Sequence, residues 1–235
     1  TQQVERGSFF HWLDQNHKQV EFVFHLGART DTTEFDMELL NELNLNYSKQ
    51  MWNKCIEYQI PLVYASSAAT YGGGEHGYND DHSVIENLAP LNPYGISKNE
   101  FDKWVLKQEQ QPLFWAGLKF FNVYGPRLNS TGQYGAVFGN FLKQKKNNKP
   151  LTIVGDGKQT RDFIHVEDLI DAFLKMIKTP LANKIYNLGS GKETSINQIA
   201  SLFGGKRVFI PKRPDEPKRS CANINKVKND IKWHP

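Results

Sequence analysis

Leu62-Val63-Tyr64-Ala65-Ser66-Ser67-Ala68-Ala69-Thr70-Tyr71-Gly72 is an apolar run that breaks off into serines and small residues. A run of that kind, opened by Pro61 and closed by a glycine-rich segment over residues 72–82, reads as a buried strand leading into a loop. Upstream, residues 20–26 read as another buried strand ending at Gly27-Ala28. Residues 37–58 read as a helix, with Leu39, Leu43, Tyr47 and Met51 at helical spacing. Downstream, residues 93–108 read as a helix and 118–123 as a further strand. Strands alternating with helices predict an α/β protein with a parallel sheet and right-handed crossovers. Ligands of such sheets bind beyond the carboxyl ends of the strands, which puts Ser66 and Ser67 at a candidate site. Helix capping or a turn is the structural alternative for either serine.

The helix over 93–108 carries Asn92-Pro93-Tyr94-Gly95-Ile96-Ser97-Lys98 at its start. Residues four apart share a helix face, so the Lys98 ammonium can sit beneath the Tyr94 phenol. A free phenol, with a pKa of about 10, is a poor base at neutral pH, and a fixed positive charge lowers that value. A Tyr-x-x-x-Lys spacing by itself also fits an aromatic ring packed on a lysine stem. The serine-ended strand upstream gives the pair a chemical context: a hydroxyl there can bond a substrate oxygen and share its proton with the phenol.

Composition bounds the rest. The 235 residues are 39% hydrophobic and 23% charged, with a formal net charge of +4. That is ordinary for a globular protein, and no apolar run approaches membrane-spanning length. The densest basic run, Lys143-Gln144-Lys145-Lys146-Asn147-Asn148-Lys149, has no interleaved aromatics and reads as a solvated helix end; no nucleic-acid partner is expected. Cys55 and Cys221 are isolated, and the histidines lack metal-ligand spacing, so neither a disulfide framework nor a metal is expected. With no signal peptide visible in the polar first residues, the expected location is the cytoplasm. After Pro126 the texture changes to shorter strands, helices and turns such as Gly155-Asp156-Gly157.

Ser-Ser-Ala-x-x-Tyr-Gly, Pro-Tyr-x-x-Ser-Lys, Phe121-Asn122-Val123-Tyr124-Gly125-Pro126-Arg127, Arg161-Asp162-Phe163-Ile164-His165 and Tyr186-Asn187-Leu188-Gly189-Ser190-Gly191 follow one another along the chain. In this order they resemble the extended short-chain dehydrogenase/reductase family of nicotinamide-dependent nucleotide-sugar epimerases, dehydratases and decarboxylases. The resemblance implies a Rossmann-like doubly wound parallel sheet with a smaller mixed C-terminal substrate domain. Residues 1–126 would form a partial dinucleotide-binding domain, and 127–235 mostly the substrate domain, with some segments returning to the sheet. No Gly-x-Gly-x-x-Gly turn occurs, so the reading predicts that the first β-α-β unit is missing, that the C-terminus is short of a helix, and that cofactor is held weakly.

The resemblance also implies roles. Tyr94 is the expected acid/base. Lys98 is expected to lower its pKa and bond the nicotinamide ribose. Ser67 is the expected catalytic hydroxyl, with Ser66 as its neighbour on the substrate. Leu26, Gly27, Ala28, Ala65 and Phe121 are expected along the cofactor, NADP or NAD, with Asn44 supporting the strand ends. Asn122, Arg161 and Arg213 are expected on a nucleotide-diphosphate sugar. For the two arginines, ion pairs with Asp162 or Asp215 are the alternative. A homo-oligomer is expected, formed through helices around 43–58 and 100–106, with Trp52, Phe101 and Trp104 supplying apolar area.

Within the family the two halves differ. Residues 25–36, 64–72 and 115–122 resemble the ADP-glyceromanno-heptose 6-epimerases, and this is the favoured reading. Residues 131–139 and 155–162 resemble UDP-glucose 4-epimerases, and Thr131 stands where a heptose epimerase carries a lysine. A 4,6-dehydratase would need acidic residues next to Ser67, where Ala68 and Ala69 stand. A dinucleotide-binding protein without catalysis is the remaining alternative, disfavoured by the intact Ser67, Tyr94 and Lys98.

Overall fold

The computed structural model describes residues 2–128, 137–179, 183–212 and 216–235. A short helix, α1 (Phe9–Asn16), buries Leu13 and leads into β1 (Val23–His25). The Asp36 side chain caps a long helical arm built of α2 (Met37–Leu40), a π-helical segment (Asn41–Asn46) and α3 (Tyr47–Glu57). Next come β2 (Leu62–Ser67), a 3₁₀ turn (Ala68–Tyr71), α4 (His82–Ile85) and α5 (Pro93–Leu106). Proline at the first position of α5, with Asn92 accepting the Gly95 N–H at 2.8 Å, fixes where that helix begins. The chain continues through β3 (Trp115–Phe120), β4 (Asn122–Tyr124), α6 (Val137–Lys146), β5 (Leu151–Val154) and β6 (Thr160–His165). It ends with α7 (Val166–Met176), β7 (Lys184–Leu188), β8 (Glu193–Ser195), α8 (Ile196–Phe203), β9 (Arg207–Ile210) and α9 (Asn225–Ile231).

The main sheet has the order β1-β2-β3-β7, parallel throughout. Side chains alternate across it. On one face Trp115 meets Trp52 of α3 at 5.3 Å between ring centroids, and Tyr64 meets Phe101 of α5 at 4.8 Å. On the other, Phe24 and Phe120 both meet Phe173 of α7. Helices therefore cover both faces, as a doubly wound sheet requires. β4, β6 and β8 form a second sheet, and β5 and β9 a parallel pair. Phe141, Leu151, Ile153, Ile196 and Ile199 make a separate small core beside that pair.

Three expectations need correction. The strand over 20–26 is shorter and lies at the edge of the main sheet, so Phe24 and Leu26 are 44% and 47% exposed. The single strand over 118–123 is two: at Phe121, whose N–H reaches the Leu188 carbonyl at 3.0 Å, the chain leaves the main sheet and enters the second. Trp52 and Phe101 are buried inside their own chain, so they offer no area to a partner.

Candidate active site

Ser67 ends β2, and its Oγ accepts the Ala69 N–H at 3.1 Å, which turns the chain sharply at the sheet's carboxyl edge. It lines a cavity of about 530 Å³ together with Tyr94, Phe121, Asn122 and Arg161. Thr32, Thr33 and Phe35 reach the same cavity from the loop after β1. That loop is braced locally: Asp31 accepts the Thr33 N–H at 2.9 Å and its hydroxyl at 2.6 Å.

Tyr94 and Lys98 lie one helical turn apart on α5. Burial pushes the phenol up, the Ser67 hydroxyl pulls it back, and the Asp102 carboxylate pushes it up again. The buried Nζ of Lys98 donates to the Ala65 carbonyl at 2.8 Å. Burial lowers Lys98 itself to about 8, with Asp102 opposing. One of the three ammonium protons is used on Ala65, which leaves two donors suited to the hydroxyls of a ribose. That donor set fits a nicotinamide nucleotide.

The remaining sequence-predicted residues divide. Ser66 faces away from the cavity, since strand neighbours point to opposite faces; its Oγ donates to Asp102 at 2.7 Å beneath the sheet. Substrate contact by Ser66 is therefore corrected. Asn44 holds the Arg29 backbone at both its N–H (2.8 Å) and carbonyl (3.0 Å), and donates to Ser97 Oγ at 3.1 Å. It braces the loop after β1 against α5, with its amide fully engaged. Leu26, Gly27 and Ala28 line a different cavity of about 550 Å³ at the edge of the sheet. Asn122 donates to the Asp162 carbonyl at 3.0 Å. Arg161 pairs with Glu216 at 2.9 Å, not with Asp162. The Asp162 carboxylate instead gathers the N–H groups of Ser190, Gly191 and Ala222. Arg213, Asp215 and Thr131 lie outside the described residues.

Three features were not read from the sequence. Glu216 as partner of Arg161 sits far along the chain in a charge-rich segment with no periodicity. His82, read as part of a polar loop, accepts the Ile185 N–H through Nε2 at 3.1 Å and so holds β7. The third is a buried charge pair, Lys119 to Asp102 at 2.7 Å, with neither side chain exposed. The four-residue steps from Tyr94 to Lys98 to Asp102 were the available signal for it.

Residues 8–189 match the model of the NAD dependent epimerase/dehydratase family. Over 217 residues the chain is 39% identical to the ADP-L-glycero-D-manno-heptose-6-epimerase of Fusobacterium nucleatum, covering 84% of this chain and 65% of that one. The chain thus spans just under two thirds of that curated relative. The crystal structure of the Helicobacter pylori ADP-L-glycero-D-manno-heptose-6-epimerase superposes with a TM-score of 0.80 at 29% identity, covering 95% of this chain and 70% of the other. UDP-glucose 4-epimerase of Thermotoga maritima, solved with UDP-glucose, superposes with a TM-score of 0.83 at 25% identity, covering 98% and 76%.

Proposed function

The chain belongs to the NAD dependent epimerase/dehydratase family, and from that premise we propose that it is a nucleotide-sugar epimerase inverting C6 of an ADP-heptose through a transient ketone. One observation carries the reading: Ser67, Tyr94, Asn122 and Arg161 converge with Thr32 and Thr33 on one cavity. Arg161 is the diphosphate clamp, because a guanidinium fork matches phosphate oxygens and keeps its charge. Asn122 lies beside it. Thr32 and Thr33 approach the sugar, in the half of the sequence that matches the heptose enzymes. Ser67 bonds the reacting hydroxyl and Tyr94 takes its proton. Burial holds the phenol protonated, so it needs added positive charge before it acts as a base. Lys98 would hold the ribose of a bound oxidised NAD or NADP, which would supply such a charge and a hydride acceptor. The ketone then turns its other face and is reduced there, with Tyr94 returning the proton. A bound cofactor that both took and gave back the hydride would leave no need for a net oxidant.

A UDP-hexose 4-epimerase is the second reading, favoured by the segments over 131–139 and 155–162. A 4,6-dehydratase is disfavoured, since Ala68 and Ala69 line the cavity beside Ser67, and among the described lining residues the carboxylate is Glu216, paired with Arg161. Incubating the cofactor-loaded protein with ADP-heptose and with UDP-glucose, and reading inversion by NMR, tests the choice. C6 inversion of the heptose is expected. C4 inversion of UDP-glucose with none of the heptose would overturn it.

A second copy is proposed to pack on the outer faces of α3 and α5, where Trp104 is half-buried with the Lys49 Nζ at 5.5 Å over its ring. A monomer by light scattering at micromolar concentration would overturn this. No helix among the described residues is long and apolar enough to cross a membrane. Two free cysteines suit the reducing setting of the cytoplasm, and a cytoplasmic reaction is part of this proposal.

A further inference from the structure

Behind the cavity, on the face of β2 opposite Ser67, lies a polar cluster that the proposed reaction does not use. Asp102 Oδ2 accepts from Lys119 Nζ and from Ser66 Oγ, each at 2.7 Å, and Oδ1 accepts from the Tyr64 hydroxyl at 3.0 Å. Lys119 also donates to Thr70 Oγ1 at 2.7 Å, and its Nζ stands 5.1 Å from the centre of the Tyr71 ring. Asp102, Lys119, Thr70 and Tyr64 have no exposed surface, and Ser66 only 3%.

Stability alone is a poor reason for such a pair. Removing two charges from water is costly, and apolar residues of similar volume often serve as well. The placement of Asp102 is more specific than stability requires. It lies on the face of α5 that carries Tyr94 and Lys98, one turn beyond the lysine. Lys98 is held to the backbone of β2 at Ala65, and Asp102 to its neighbouring side chain at Ser66. The groups facing Lys98 are Tyr94 and Asp102 from its own helix and His25 from β1, with Lys119 of β3 across Asp102. His25, bonded to Ser48 at 2.8 Å, is kept neutral by burial. Among the described residues Asp102 is thus the anion that favours a charged Lys98.

We propose that Asp102 is a positioning residue for the Tyr94–Lys98 pair: it supplies the counter-charge of the Lys98 ammonium and, through Ser66 and Tyr64, locks α5 to the end of β2. The proposal rests on the reading that Lys98 serves Tyr94 and the cofactor. Lys119, on the β3 side of Asp102, keeps that carboxylate ionised inside the protein.

The test is a ¹³Cε-lysine NMR titration of the whole protein, with K98M to assign the signal. Wild-type Lys98 is expected to titrate near 8. Because D102N alone would strand the Lys119 charge, the informative variant is D102N/K119M, which removes both. There the loss of the more distant Lys119 charge offsets part of the loss of the Asp102 carboxylate, so the Lys98 midpoint should fall by roughly half a pH unit, while D102E, which keeps the carboxylate, should stay near wild type. An unmoved midpoint in the double variant would reduce the cluster to packing and overturn the proposal. If the double variant does not fold, the Asp102 carboxyl carbon of the wild type decides. It should step at the Lys98 midpoint, and a flat trace there overturns the coupling. None of these signals needs turnover, so their failure is distinct from failure of the proposed reaction.

Discussion

At Tyr94 burial and hydrogen bonding oppose one another: the surrounding protein raises the phenol, and the Ser67 hydroxyl pulls it down. A group so placed moves protons and contributes little to holding a substrate in its ground state. Tyr94→Phe is therefore expected to cut turnover by about 10²-fold to 10⁴-fold while nucleotide-sugar affinity stays within about threefold. Steady-state kinetics and calorimetric binding on the cofactor-loaded protein check both halves; near wild-type turnover would remove Tyr94 from its role. That Ser67 and Tyr94 line one cavity was legible in the sequence, because each position is fixed locally, by a strand end and by the start of a helix. The choice between Ser66 and Ser67 was not. Strand alternation says that only one of two neighbours faces a given side, but which side holds the cavity depends on how α5 and β3 pack. The direction of the Lys98 Nζ was hidden for the same reason, since the Ala65 carbonyl that takes it belongs to another element.

At the scale of elements, α5 must approach the turn after β2 closely enough for Tyr94 to meet Ser67. Gly95 allows this. A Cβ there would stand 2.7 Å from the Ala69 carbonyl oxygen and 3.0 Å from Pro90 Cβ, and the first contact is with backbone that cannot swing aside. On helix propensity alone Gly95→Ala should stabilise by up to about 1 kcal/mol. The clash reverses the sign, since forcing a methyl into a packed contact costs roughly 1–3 kcal/mol. The expected outcome is a lowered Tm together with a loss of turnover larger than the stability change explains, because α5 is pushed off Ser67. Thermal denaturation and kinetics on the same sample check it; a raised Tm with unchanged turnover would refute the close-approach argument. The long arm before β2 shows what periodicity conceals. Of Leu39, Leu43, Tyr47 and Met51, which recur four apart, only Met51 is buried, and over the first turns the buried positions are Leu40, Asn44 and Ser48, one residue on. Two of these are polar, and their burial is met by hydrogen bonds to Arg29, Ser97 and His25 that an apolar pattern does not register. The π-helical segment over Asn41–Asn46, where Asn44 sits, left no mark in composition either.

Across the whole molecule, the alternation of strands and helices announced the parallel sheet, and the resemblance implied that some segment after residue 127 returns to it, while which segment that is, β7, was not legible. That return is secured by a histidine, with a consequence for stability. His82 must be neutral to accept the Ile185 N–H through Nε2. His25, under the end of β1, is likewise surrounded by protein. Burial pushes both down to about 4, with the Lys226 ammonium adding to the effect at His82 and the Lys98 ammonium at His25. In the unfolded chain each takes up a proton near 6.5. Between about 6.5 and 4 the unfolded state therefore binds more protons than the folded one, so stability is greatest above 6.5 and is lost as the pH falls. The half-exposed His82 contributes less than the buried His25, and together they should remove roughly 2–4 kcal/mol by pH 4.5. Asp80 and Asp162, both pushed up by burial, act in the opposite sense: the folded state protonates them first, which softens the loss at the acid end. Urea unfolding at pH 7.5, 6.5, 5.5 and 4.5 measures the profile. It should be nearly level between the first two values and fall steadily over the next two, with a shallower fall in His82→Gln, whose neutral amide can still accept the β7 N–H. A stability that stays level down to pH 4.5 would mean that both histidines titrate as freely in the folded protein as in the unfolded chain.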